Sequence, residues 1–517
     1  MKRKLISLLL VVIMALTLSL GLTSCGGGDD GKLHITFYHT MGENLRTVLD
    51  TYIAEFEALY PEYKIDHEQV GGYDDVREQI ATEITVGNQP NIAYCYPDHV
   101  ALYNLALAVK TLDGYIDSEE VITRADGTTE ILGLTPEQKE DFIQGYYEEG
   151  RQFGDADGDG VNEMYTIPLS KSTEVLYYNK TYFDECKAIY ENEFILKADG
   201  TPETDKDGNP VKNPNYQNEI YNLFVPTTWD EMELICSRIL AVENAKLSEE
   251  DKQAGKTAQV IPLGYDSEAN WFITMCEQLG SPYTSLEEGN HFLFDNETNR
   301  NFVAKFRDWY LKGYVTTQEI HGSYTSSLFT AKTGTKSYMS IGSSAGATHQ
   351  RPTKDAATGD YPFEVGIASI PQYNSEAPKV ISQGPSLCIF EGSEAEMRAS
   401  WLFVKFLATN RSFQADFSIA SGYVPVIKSV DQDELYSQFL NNADGKENIA
   451  ALSVKVCLEQ ESAYYTSPAF NGSSTARDEV GALLQECLLI GKDVADVPAA
   501  IKKAFEDAIA ECKYQAE

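Results

Sequence analysis

The chain has 517 residues, 43% of them hydrophobic, which is more than one hydrophobic core accommodates, so two or more domains are expected. A formal net charge of −38 excludes nucleic acid as a partner and excludes direct docking on anionic lipid. Nine cysteines are scattered without a CxxC or a metal-like spacing; apart from Cys25 they read as small buried apolar residues, and their spacing pairs none of them.

The N-terminus comes first. Lys2-Arg3-Lys4 is followed by the apolar run Leu5 to Leu22 and by small residues, the pattern of a secretory signal spanning 1–24. The run is almost long enough for a transmembrane anchor, but Leu22-Thr23-Ser24-Cys25 resembles the lipobox of bacterial lipoproteins, in which the cysteine is lipidated and cleavage falls before it. That reading places the protein outside the cytoplasm, held to the outer face of the cell membrane through Cys25 alone. Residues 25–32 then serve as the lipidated cysteine and a Gly/Asp-rich tether.

Leu33 to Phe37 alternates as a strand. Leu45, Val48, Leu49, Tyr52, Ile53, Phe56 and Leu59 fall on one helical face, which Pro61 terminates. A strand near Lys64 to Glu68, a helix near Asp74 to Val86 and a strand from Asn91 to Tyr96 follow. This order predicts an α/β fold with a parallel sheet. Ligands bind such sheets beyond the carboxyl ends of the strands, here Tyr38-His39-Thr40 and Tyr94 to Asp98. A second compact region starts near Met164. Val175 to Asn179 reads as a buried strand, and Thr228 with Glu231 as a capping box opening a helix. Ala125 to Thr129 and Lys197 to Asn215 read as surface hairpins.

Asp155, Asp157 and Asp159 stand at positions one, three and five of a sequence that resembles a calcium-binding loop, with the Val161 carbonyl and Glu163 as further ligands. Thr166 occupies position twelve in place of the usual Glu, so a structural calcium site and an acidic hairpin tip both stay open. No GxSxG, HExxH, Walker loop or GxGxxG is present, and no carboxylate pair stands out as catalytic. Several Ser/Gly-rich and aromatic segments stand out instead: Leu169 to Lys180, Ser340 to Gly346, Gln383 to Leu387 and Ser421 to Val426. Together they suggest loops meeting at one site.

The blocks Phe37-Tyr38-His39-Thr40-Met41, Ser172-Thr173-Glu174-Val175-Leu176-Tyr177-Tyr178-Asn179-Lys180 and Gly422-Tyr423-Val424-Pro425-Val426, in that order, resemble family 1 extracellular solute-binding proteins of ABC importers, and among them the glycerol-phosphate binders. The likeness runs over nearly the whole mature chain. It implies a two-lobed periplasmic-binding-protein-like clamp of type II, each lobe a mixed, mostly parallel sheet flanked by helices. The implied lobes are 33–155 plus 338–387 and 160–335 plus 390–517, with crossings near Asp155 to Pro168, Lys336 to Ile341 and Pro385 to Glu391. It also implies a monomer that works with permease subunits, needs no cofactor and catalyses nothing. Residue by residue, the resemblance suggests Tyr73, Ser172, Ser343, Ser344, Gly384, Tyr423 and Arg477 as ligand contacts and Trp271 as the aromatic platform of the second lobe. Pro97 stands where the family places a Glu, with Asp98 beside it, so a carbohydrate and a polyol phosphate such as sn-glycerol 3-phosphate both stay open. The competing reading is a surface lipoprotein that hydrolyses glycans, distinguished by turnover.

Overall fold

A computed structural model describes residues 30–154, 158, 160–287 and 289–516. The signal segment, Cys25, Asp155, Asp157 and Asp159 lie outside the described residues. In chain order the strands are β1 (Leu33–His39), β2 (Tyr63–Gln69), β3 (Ile92–Cys95), β4 (Val121–Thr123), β5 (Thr129–Ile131), β6 (Ile167–Pro168) and β7 (Ser172–Asn179). They continue with β8 (Leu263–Tyr265), β9 (Val315–Thr317), β10 (Met339–Ser343), β11 (Val365–Ser369), β12 (Val380–Gln383), β13 (Ser386–Ile389) and β14 (Tyr464–Tyr465).

The opening strand and helix form as their periodicities predict. The helix Glu43–Leu59 turns Leu49, Tyr52, Ile53 and Phe56 inward. Against them pack Ile35 and Phe37 of β1 and Phe403 of the helix Glu394–Thr409. The first sheet runs β2-β1-β3-β13-β6. β1 pairs parallel with β2 and β3, whereas β13 enters antiparallel to both β3 and β6. Its other face carries Ala93, Cys95 and Cys388 against Val76, Ile80 and Val100.

The second sheet runs β14-β12-β7-β10-β8-β9, with β11 also paired to β7. β7 is its central strand. Leu176 faces a core with Trp229, Trp271 and Phe306. Val175 and Tyr177 face the opposite way, toward Val454 and Cys457. A strand covered on both faces loses its polar alternation, which is why Ser172-Thr173-Glu174-Val175-Leu176-Tyr177 is buried throughout. Thr228 and Glu231 close the capping box of the helix Trp229–Ala245. β4 and β5 form the first surface hairpin, and the bridges Phe194–Lys212, Leu196–Pro202 and Thr204–Pro210 form the second hairpin region. The eight cysteines from Cys95 to Cys512 are buried and unpaired with one another.

Two adjacent segments link the sheets, Leu169–Lys171 between β6 and β7 and Gly384–Pro385 between β12 and β13. They touch: the Leu169 and Ser170 amides both donate to the Pro385 carbonyl, at 3.1 and 3.3 Å. Gly384 has φ +104°, and a Cβ there would lie 2.5 Å from the Ser170 carbonyl oxygen, so the close approach requires glycine.

This topology corrects the expected lobe boundaries. Residues 338–387 do not join the first lobe as a block, because β10, β11 and β12 all pair antiparallel with β7. Lys336 to Ile341 is not a crossing, since Met339 to Ile341 pair with β7 and β8 within the second sheet. The helices Glu394–Thr409 and Arg411–Ser421 pack on β1 and on the helix Glu43–Leu59, so they belong to the first lobe rather than to a second lobe starting at 390.

Candidate ligand-binding cleft

Between the sheets lies a cavity of about 640 Å³, with walls from both lobes. The first-lobe wall begins with a tight turn. Gly71 has φ +40°, and a Cβ there would lie 2.1 Å from Asp75 Oδ2. That oxygen accepts the Gly72 amide at 2.6 Å, which fixes the start of the helix Tyr73–Ile84. Tyr73 is thereby held against Tyr96, with ring centroids 4.4 Å apart and planes 24° from parallel, and Tyr94 stacks beyond it at 6.4 Å. The hydroxyls of Tyr73 and Tyr94 are buried without a hydrogen-bond partner. Tyr423 lines the same cavity, and its hydroxyl lies close enough to that of Tyr73 to act on it.

The second-lobe wall is built on carboxylates. Glu174 of β7 is 1% exposed and accepts the Tyr265 hydroxyl at 2.6 Å. Burial raises its pKa to about 7, against the opposing hydrogen bonds from Tyr265 and Asn270. Asp266 accepts both the amide and the hydroxyl of Thr325 at 2.7 Å, and burial raises its pKa too. Gly342 gives Asp266 room, because a Cβ there would sit 2.5 Å from Asp266 Oδ2. Tyr324, 64% exposed, projects from the same lobe onto the rim. Arg477, on the helix Ser473–Leu489, donates to Asn270 Oδ1 and makes no salt bridge among the described residues. Its neighbour Asp478 is occupied by Arg77 at 3.1 Å.

The cavity brings together Tyr73, Ser172, Ser343, Tyr423 and Arg477. Asp98 and Gly384 line two recesses that open beside Tyr96 and Arg477. Two expected contacts are elsewhere. Ser344 is 0% exposed; its Oγ accepts the Thr173 amide at 3.2 Å and its carbonyl accepts the Ser453 hydroxyl at 3.0 Å, so it holds β7 in place rather than meeting solute. Trp271 is 0% exposed and lies between Tyr265 at 4.8 Å and Phe306 at 4.1 Å, which makes it core and not a platform. Tyr96 and Glu174 fell inside segments expected at the site without being singled out, whereas Asp266, Asn270 and Tyr324 were missed. Glu174 did carry a signal, since a carboxylate inside an apolar strand must have a buried partner. In the acidic loop, Val161 is exposed and Glu163 buried, and no group of three metal-ligating side chains occurs among the described residues.

Two α/β lobes joined by adjacent crossings, with a polar cleft between them, define a solute-binding clamp. The family model described as bacterial extracellular solute-binding protein matches residues 51–443, and the chain belongs to that family. This is a family of binding proteins, so the protein is not an enzyme, and it acts outside the cytoplasm. The sn-glycerol-3-phosphate-binding periplasmic protein UgpB of Escherichia coli K12 is 27% identical over 169 residues, 33% of this chain and 34% of that protein, so the match spans about a third of the relative. UgpB from Mycobacterium tuberculosis in complex with glycerophosphocholine superposes with a TM-score of 0.63 at 16% identity, over 93% of this chain and 99% of that one. The cyclic alpha-maltosyl-1,6-maltose binding protein from Arthrobacter globiformis gives 0.59 at 17% identity, over 93% and 99%. At these identities the structural likenesses establish the two-lobed fold. No helix among the described residues is long and apolar enough to cross a membrane.

Proposed function

We propose that the protein captures a small polyhydroxylated solute, a carbohydrate or a polyol phosphate, in the interlobe cleft and delivers it to the permease of an ABC importer. A lipid on Cys25 keeps it at the outer face of the membrane. One observation carries the ligand class: the stacked rings of Tyr73 and Tyr96 face the carboxylates of Glu174 and Asp266 across a single cavity. Aromatic faces cover the apolar face of a sugar ring, and carboxylates accept its hydroxyl protons. The phosphate variant is favoured by Arg477, whose guanidinium has a neutral amide for its partner and keeps its charge for an anion. The names of the relatives above, one an sn-glycerol-3-phosphate binder and one a cyclic alpha-maltosyl-1,6-maltose binder, agree with this class.

A thermal-shift screen over sugars, polyols and their phosphates tests the proposal, because a ligand that binds only the folded state raises the melting temperature. At 100-fold excess over its dissociation constant a ligand contributes about 2.7 kcal/mol, a shift of about 2–3 °C for a chain of this size. A screen in which no member raises the melting temperature contradicts the proposal.

A further inference from the structure

Taking the cleft as the solute site proposed above, we propose that its solute carries a protonated amine, seated in the recess beside Asp98. This recess, about 420 Å³, lies between the starts of the helices Tyr73–Ile84 and Pro97–Tyr103 in the first lobe and, in the second, the start of Glu268–Leu279 and the middle of Ser473–Leu489. Its lining includes six carboxylates, those of Asp74, Asp98, Asp266, Glu268, Glu319 and Asp478, against the two guanidiniums of Arg77 and Arg477. Arg77 is engaged by Asp478 at 3.1 Å and Asp74 at 3.4 Å, and Arg477 donates to the neutral side chain of Asn270, so the carboxylates outnumber the two cations even with the Arg477 charge counted in full.

Asp98 makes no ion pair with a lysine or arginine among the described residues, although the Arg77 charge acts on it from beyond contact distance. Its side chain is 17% exposed and accepts the amide of its own neighbour, His99, at 3.1 Å. The His99 Nε2 stands 4.0 Å away, beyond hydrogen-bond reach. His99 lines the same recess, is 2% exposed, and its Nδ1 has no hydrogen-bond partner. Burial lowers the pKa of this imidazole, which keeps it neutral at physiological pH and leaves the charge of Asp98 uncompensated by it. The wall is completed by the rings of Tyr73 and Tyr96. An ammonium supplies what this environment lacks: three N–H donors, a positive charge, and a fit to aromatic faces. A hydroxyl supplies no charge.

Titration calorimetry with matched probes at mildly acidic pH tests this. One pair is D-glucosamine and N-acetyl-D-glucosamine; the other is sn-glycero-3-phosphoethanolamine and sn-glycerol 3-phosphate. The amine-bearing member of at least one pair is expected to bind at least about tenfold tighter, and Asp98→Asn to abolish that preference. Which pair responds separates an amino sugar from a phosphoethanolamine. Asp74→Asn, at a position 73% exposed, is expected to erode the preference less. If Asp98→Asn fails to fold, the pairs on the unaltered protein still decide. Equal or tighter binding of the neutral or acetylated member overturns the amine assignment, as does binding of none of the four probes. Either result leaves the wider solute-binding reading to the melting screen, which fails on its own terms if no solute responds.

Discussion

Lys171 and Arg477 line the same recess beside the cleft and have opposite surroundings. Lys171, on the crossing between the sheets, is 1% exposed and bonded to the buried carboxylate of Glu149, whose second oxygen accepts the Ser382 hydroxyl at 3.0 Å. The pair ties the 3-10 turn Glu148–Arg151 of the first lobe to the crossing and to β12 of the second lobe. Arg477 is partly buried and held by the neutral side chain of Asn270. A cation neutralised inside the protein belongs to the architecture. One supported by a neutral amide keeps its field for something that arrives later.

The largest effect should come from breaking the satisfied pair. Glu149→Ala leaves the Lys171 ammonium buried and alone, which typically costs about 3–5 kcal/mol. Denaturant unfolding should show a lower midpoint with little change in slope. A loss below about 1 kcal/mol would mean that water reaches Lys171 and that the hinge is not dry.

Glu174 sharpens the contrast as a buried carboxylate with a tyrosine for its partner and no cation bonded to it among the described residues. Its folded pKa, about 7, lies above the ordinary value of 4.5, so the folded state holds the proton more tightly. Its ionisation therefore costs stability: nothing below about 4.5, increasingly between 4.5 and 7, and a constant amount above 7. The difference in stability between wild type and Glu174→Gln should change across that window by up to about 3 kcal/mol, with the wild type losing ground as pH rises. A difference independent of pH would show that Glu174 titrates as it would in water.

The strands and helices at the start of the chain were legible in the sequence because their apolar residues recur at two- and four-residue steps on half-buried elements. The lobe boundary was not, because it depends on three strands distant in sequence choosing the edges of β7, a non-local pairing that leaves no local pattern. Trp271 misled for a related reason. The helix Glu268–Leu279 is buried from Trp271 through Cys276, so no polar stripe marks which side faces the cleft. Tyr73, Tyr423 and Arg477 could be placed because each sits beside a turn or within a block that the resemblance aligns. Tyr324 and Asp266 belong to no such block, and only the fold brings them to the cavity.

The account rests most heavily on Arg477 being a ligand group and not a structural one. Calorimetry of wild type and Arg477→Ala with sn-glycerol 3-phosphate, beside their melting curves, tests this directly. Losing one partner of a desolvated charge pair costs about 2–5 kcal/mol in binding, so the variant should bind roughly 30-fold more weakly or worse, while its melting temperature stays within about 2 °C of wild type. Unchanged affinity, or a melting temperature that falls as far as that of Glu149→Ala, would contradict the claim and place Arg477 with Lys171 among the cations that hold the fold together.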